Sequence, residues 1–237
     1  MCTRATSTSG YITKLYGRRQ GKGLKPRQSR LYDRLLPSIV ATTPQSGERV
    51  DPKSCFPPNA VDEVWFEIGF GGGEHLAWQA ARNPRVGVIG AEAFLDGVGK
   101  LLGQVDDMRL KNVRILHGDA RPFLEAVSDG SLGRIFVLHP DPWPKKRHHK
   151  RRMISPWFFT EAARALRPGG ILRVASDIPG YVAWTLMHAR ASPAFEWLAE
   201  TADDWRARPD DWPQTRYEAK AMKEGRAPTY LQFRRKP

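Results

Sequence analysis

From Val61 onward, short and nearly unbroken apolar runs alternate with longer stretches whose apolar positions return every three to four residues. The runs at 64–68, 86–91, 113–116, 135–138 and 171–176 are rich in apolar and β-branched residues and too short for helices, so they read as strands. The longer stretches predict helices over 74–82, 95–106, 122–127, 156–166 and 181–191. A strand without polar alternation has to be covered on both faces, and repeated strand–helix–strand units produce parallel neighbours. The pattern therefore predicts a doubly wound α/β fold. A last strand signal at 229–233 follows a polar stretch carrying Trp205, Pro209, Trp212 and Pro213, and no internal repeat is visible.

Upstream of Val61 the pattern is different. Residues 1–26 are rich in Ser, Thr, Gly and basic side chains without apolar periodicity, which predicts a flexible arm. A short helix is expected over 28–36, and Pro44, Gly47, Pro52, Pro57 and Pro58 mark 42–59 as a linker. The expected organisation is a basic arm over 1–30, a helix and linker over 31–60, and one α/β domain over 61–237.

Charge sharpens this picture. The 237 residues carry a net charge of +13, and fourteen of the 38 basic residues sit in two acid-free segments, 1–30 and 145–152, which leaves the rest near neutral. Concentrated positive charge on a neutral body suits a polyanion, because neutralising phosphates releases condensed counterions. Nucleic acid is the leading partner, although basic runs also occur as plain solvated tails. Cys2 and Cys55 are too few for a disulfide framework, and the histidines show no metal-ligand spacing, so no metal is expected. No apolar stretch is long enough to span a bilayer, and 1–10 lacks a secretory apolar core, which predicts a soluble protein of a reducing compartment.

The first apolar run leads into Glu67-Ile68-Gly69-Phe70-Gly71-Gly72-Gly73-Glu74. Such a turn lets backbone approach a ligand at the carboxyl end of a strand. The G-x-G-x-x-G dinucleotide spacing fails from either Gly69 or Gly71, and no P-loop Lys follows. Glu67-x-Gly69-x-Gly71-x-Gly73 instead resembles the first motif of class I S-adenosylmethionine-dependent methyltransferases. Glu92, after the second strand, is placed to accept from ribose hydroxyls, and Asp119, after the third, to meet an adenine amine. The plainer readings are an acidic residue at a helix start for Glu92 and a helix N-cap for Asp119.

After the fourth strand comes Pro140-Asp141-Pro142-Trp143-Pro144-Lys145, continuing into Lys146-Arg147-His148-His149-Lys150-Arg151-Arg152. The prolines restrict Asp141 and its neighbours, and rigid placement is what alignment of a methyl acceptor requires. Here the chain closely resembles the bacterial tRNA (guanine-N7)-methyltransferase family, and further matches lie at 20–28, at 173–177 and at Thr215-Arg216-Tyr217-Glu218. Pro144, where His is frequent, and the three successive glycines at 71–73 are small departures.

That resemblance implies a Rossmann-like methyltransferase domain with a mostly parallel seven-stranded sheet, S-adenosylmethionine as cofactor and tRNA as partner. Its implied target is N7 of guanine 46 in the variable loop, in a cytoplasmic monomer or homodimer. It assigns Glu67, Gly69, Gly71, Gly73, Glu92, Asp119, Ala120 and Asp141 to the cofactor, and Lys145, Asp177, Thr215, Arg216, Tyr217 and Glu218 to the substrate. Asp141 is the expected catalytic residue. Lys146, Arg147, His148, Lys150, Arg151 and Arg152 are expected to grip RNA, while Trp143 either stacks on the target base or packs the loop. Two rivals are an adenine-N6 methyltransferase, from the partial likeness of Asp141-Pro142-Trp143 to an Asp-Pro-Pro-aromatic motif, and a non-catalytic RNA binder on the same fold.

Overall fold

The computed structural model describes residues 15–17, 19–21, 23–43 and 47–237. Most of the expected arm, with Arg4, Lys14, Arg18 and Lys22, lies outside the described residues, as does Cys2.

Seven strands form one sheet: β1 (Glu63–Ile68), β2 (Val86–Glu92), β3 (Val113–His117), β4 (Leu132–Leu138), β5 (Leu166–Ser176), β6 (Phe195–Trp197) and β7 (Thr229–Arg235). Their order is β3-β2-β1-β4-β5-β7-β6, all pairs parallel except those made by β7. The expected doubly wound, mostly parallel sheet is the observed one, and each apolar run lies inside a strand. Five of the six residues of β1 are buried, as strands covered on both faces require. The chain winds outward from β1 in both directions, so the crevice above the carboxyl ends of β1 and β4 is the topological switch point where such sheets bind ligands.

The helices α3 (Glu74–Arg82), α4 (Leu95–Asp107), α5 (Ala120–Ala126), α6 (Pro156–Ala165) and α7 (Pro179–Arg190) follow the predicted ones to within two residues at most ends. One sheet face packs Phe66, Ile89, Phe123, Phe158 and Phe159 into a core. The opposite face packs Leu76, Val98, Leu101 and Leu102.

Three features depart from the expectation. The helix over 28–36 is two helices, α1 (Pro26–Arg34) and α2 (Leu36–Ile39), because Pro37 has no N–H to continue the first one. The linker is structured: Asp51 caps a 3₁₀ turn, Pro52–Cys55, and Phe56 is buried against Gly87. An isolated bridge from Val40 to Ile115 covers the exposed edge of β3, as an unpaired edge demands, and a second from Val50 to Val127 ties the linker to the end of α5. The polar stretch after α7 holds β6, α8 (Asp203–Arg206) and α9 (Arg216–Lys223), none of which the hydrophobic pattern announces.

Candidate active site

The glycine loop joins β1 to α3 through three left-handed residues, Gly69 (φ 73°), Gly71 (φ 56°) and Gly73 (φ 81°). Close neighbours explain two of them. A Cβ on Gly73 would stand 2.8 Å from Leu101 Cβ, and one on Gly71 would stand 2.7 Å from Tyr217 Cε2. A Cβ on Gly97 would come within 2.2 Å of the Gly71 carbonyl oxygen, so α4 also abuts the loop.

Glu92 ties the loop to the next strand. Its Oε2 accepts from Gly71 N–H at 2.8 Å and its Oε1 from Phe94 N–H at 2.9 Å. Burial pushes its carboxyl above the usual range against the pull of the Phe94, Gly71 and Ala93 N–H groups, and the nearby charge of Asp141 adds to the rise. Each oxygen retains a lone pair beyond its backbone bond, so acceptance from a ligand hydroxyl is still open.

Glu67 sits elsewhere. Its carboxylate is buried at 2 % exposure behind the loop, where Oε2 lies 2.7 Å from His75 Nδ1. His75 Nε2 lies 3.1 Å from Gln79 Nε2, which also donates to the Asp211 carbonyl at 2.8 Å. With Nδ1 as the imidazole donor, every member of this chain is satisfied. Glu67 thus fastens α3 beneath the loop through Oε2. Glu67→Ala strands a buried imidazole N–H and is expected to cost about 1–3 kcal/mol in urea denaturation, with Glu67→Gln costing less. An unaltered stability with lost cofactor binding would return the carboxylate to the ligand.

Asp119 caps α5, accepting from Arg121 N–H at 3.0 Å, and pairs with the Arg121 guanidinium at 2.6 Å. The plainer N-cap reading is therefore correct, and it coexists with a place on a ligand cavity. Asp119, Gly118, His117, Ala93, Leu95 and Tyr32 line a cleft of about 890 Å³ beside Glu92. The Tyr32 hydroxyl lies 2.7 Å from His117 Nδ1, so α1 supplies part of the wall. Ala120 starts α5 with its side chain buried, which leaves its main chain as the part a ligand can meet.

Asp141 follows β4. It is exposed, no described residue donates it a hydrogen bond, and partial desolvation raises its pKa above the usual aspartate range. The described part of the arm passes over it: a Cβ on Gly17 would stand 3.3 Å from Asp141 Oδ2. Tyr16 meets the Trp143 ring edge-on at 6.2 Å, and the Arg151 guanidinium lies over both rings at 4.5 and 4.9 Å. His148 also packs edge-on against Trp143 at 5.9 Å.

The basic run is not uniform. Lys145, Lys146, Arg147 and Lys150 are exposed, as a phosphate-binding surface requires. Arg152 is turned inward at 8 % exposure and donates from Nε to the Pro142 carbonyl at 2.8 Å, so the expectation that it grips RNA is corrected. Arg151 is committed to the ring stack.

The Thr215–Glu218 motif lies against the glycine loop. Thr215 caps α9 by accepting from Glu218 N–H at 3.2 Å, Tyr217 covers Gly71, and Arg216 pairs with Glu74 at 3.6 Å. Glu218 is 2 % exposed; its Oε1 accepts from the Tyr230 hydroxyl at 2.6 Å and from Arg208 at 3.3 Å. Its Oε2 is buried with no hydrogen-bond partner among the described residues. Asp177 has Arg226 Nε at 2.6 Å and His139 Nδ1 at 3.3 Å. Burial alone would raise its pKa, but Arg226, its own backbone N–H and His139 hold it below the usual range.

Among the described residues no cluster of three metal-ligating side chains occurs, and no helix is long and apolar enough to cross a membrane. Sequence reasoning missed Tyr32, His117 and His139; the places of His117 at the end of β3 and His139 just after β4 could have flagged those two, whereas Tyr32 reaches the site from α1 and nothing local marks it.

Comparisons with known proteins agree with this geometry. A family model described as "Putative methyltransferase" matches residues 62–231. The chain is 55% identical over 228 residues to the tRNA (guanine-N(7)-)-methyltransferase of Rhodospirillum rubrum, covering 94% of this chain and 88% of that protein. It is 48% identical over 231 residues to the protein of that name from Azorhizobium caulinodans, covering 98% and 99%. The crystal structure of an rRNA methylase from Streptococcus thermophilus shares the fold, with a TM-score of 0.51 at 12% identity over 76% of this chain and 90% of that one. A switch-point crevice built from a glycine loop, Glu92, Asp119 and Asp141, in a chain this similar to those relatives along nearly its whole length, places it in the tRNA (guanine-N(7)-)-methyltransferase family.

Proposed function

We propose that this protein methylates N7 of guanine 46 in the variable loop of tRNA in the bacterial cytoplasm, using S-adenosylmethionine. The observation that carries the reading is the position of Asp141, a carboxylate with no described donor at the end of β4, between the glycine-loop crevice and the exposed basic run.

The crevice fits the cofactor in its donor and acceptor set. Gly71 and Gly97 leave backbone bare where a Cβ would collide, and Glu218 Oε2 is a buried acceptor with an open valence beside the loop, suited to an ammonium group. Glu92 is suited to the ribose hydroxyls, and the cleft lined by His117, Gly118 and Asp119 to the adenine. When bound, S-adenosylmethionine supplies an electrophilic sulfonium methyl group. We therefore move the 215–218 motif, at least through Glu218, toward the cofactor side of the site.

Guanine N7 carries an in-plane lone pair and no proton, so it forms the new C–N bond as the S–C bond breaks and needs no general base. What the chain must supply is alignment and compensation of the positive charge left on the purine. Asp141 fits one of these tasks, either accepting from the guanine N1–H and N2–H donors to align the base or facing the charge that develops around N7. A variable loop is favoured over an RNA duplex because it presents N7, which the narrow major groove of A-form RNA hides. Lys145, Lys146, Arg147 and Lys150 face the phosphates.

The reading is tested by incubating the protein with labelled S-adenosylmethionine and an unmodified tRNA transcript, then analysing product nucleosides. The expected product is 7-methylguanosine, abolished when guanine 46 is changed. N6-methyladenosine would support the adenine-directed rival, and tight tRNA binding without methylation the non-catalytic one.

A further inference from the structure

Pro140, Asp141 and Pro142 form an arch whose two feet, His139 (φ 49°) and Trp143 (φ 42°), both lie in the left-handed region. Neither is glycine, and side chains rarely adopt this conformation unless the surroundings hold it. Such holding is present at each foot. At the first, His139 N–H donates to the Ala175 carbonyl at 2.8 Å and its Nδ1 lies 3.3 Å from Asp177 Oδ1. The other oxygen of Asp177 accepts from Arg226 Nε at 2.6 Å. At the second, Arg152 donates from Nε to the Pro142 carbonyl at 2.8 Å and from Nη2 to the Trp143 carbonyl at 3.4 Å. Its guanidinium is fixed over the Trp184 ring at 4.8 Å and the Tyr181 ring at 5.3 Å.

Resting on the assignment of Asp141 to the target guanine, we propose that His139 and Arg152 are positioning residues that clamp the feet of a strained arch, and that Arg152 acts through the arch and not as an RNA contact. Asp177 orients the first foot through Oδ1 while Oδ2 is held by Arg226, and each oxygen keeps a further lone pair. Arg152 is buried, with its donors directed at carbonyls of the arch itself. Asp141 is thereby held at its working position before RNA arrives, which removes an ordering cost from the bound complex.

The test compares H139F, H139N and R152K with wild type and with D141A, measuring S-adenosylmethionine and tRNA dissociation constants and the single-turnover methylation rate at saturation. Asn tolerates the left-handed region, and its amide nitrogen stands near where Nδ1 does. Lys keeps the charge that a phosphate contact needs but cannot reproduce the planar, two-pronged donation and ring stacking of Arg. H139F and R152K are expected to slow the bound-state rate on the order of 10–100-fold with both dissociation constants unchanged, and H139N to restore most of it. Unchanged cofactor binding shows that each variant is folded. R152K or H139F at the wild-type rate while D141A is slow would overturn the proposal, as would weaker tRNA binding by R152K with full rate once bound. A wild-type rate in D141A would instead overturn the Asp141 assignment on which the clamp depends.

Discussion

Asp141→Ala is expected to lower the single-turnover rate of methyl transfer by about 10²–10³-fold, the range seen when a preorganised group facing transition-state charge is removed. The reaction has no proton to shuttle, so the loss comes from alignment or charge compensation. Cofactor affinity should change less than the rate, because Glu92, the glycine loop and the His117–Asp119 wall are retained. The same substitution should not destabilise the fold. Partial desolvation raises the Asp141 pKa above the ordinary 3.8, and a carboxyl whose pKa is higher folded than unfolded favours folding only at low pH. Its contribution turns unfavourable as pH rises from the unfolded value through the folded one, so at neutral pH removing it relieves the protein. Melting temperature at pH 7 is expected to hold or rise while activity collapses, the signature of a group kept for function. The wild-type rate should fall with decreasing pH through a value above 3.8, as the carboxylate gains its proton. A rate loss accompanied by an equal loss of stability would instead mark Asp141 as a structural residue.

Gly73→Val is expected to have the largest effect on stability of any change in the site. The residue is left-handed at φ 81°, and a Cβ would lie 2.8 Å from Leu101 Cβ, in a core residue with no exposure. Backbone strain of about 1–3 kcal/mol and overpacking of about 1–3 kcal/mol together give a loss of about 2–6 kcal/mol, against a typical total of about 5–15 kcal/mol. Urea denaturation would read this as a reduced midpoint, with cofactor binding lost because the loop is displaced. Gly69→Ala is the control. It has the same backbone preference at φ 73° but open space around the added methyl, so only about 1–2 kcal/mol of strain is expected. Equal costs at the two positions would show that contact with Leu101 does not shape the loop.

The central sheet was legible because most of β1 to β5 is buried and appears as nearly unbroken apolar runs. The edge was not: β6 has three residues, of which only Phe195 is buried, too little periodicity to distinguish it from a loop. The helix α9 carried a readable signal, the Thr215-x-x-Glu218 spacing of an N-terminal cap, but its polar composition hides it from a hydrophobic pattern. In the site, the glycines, Glu92 and Asp119 lie at strand ends and so follow from the strand assignment. Glu67 did not follow, because its partner His75 lies on the next helix and local spacing says nothing of which way a carboxylate turns. Arg152 illustrates the same limit. Six basic side chains in one run look equivalent in sequence, and only the fold decides that the last of them faces Trp184 and not solvent.

The most direct measurement uses the wild-type protein and a tRNA transcript in which guanine 46 is replaced by 7-deazaguanine, a base that keeps the N1 and N2 donors but has a C–H group in place of N7. The account predicts tRNA binding close to that of the unmodified transcript and no methyl transfer to position 46. Methylation of the 7-deaza transcript at an undiminished rate would mean that another atom is the acceptor, and would contradict the assignment of this site to guanine N7.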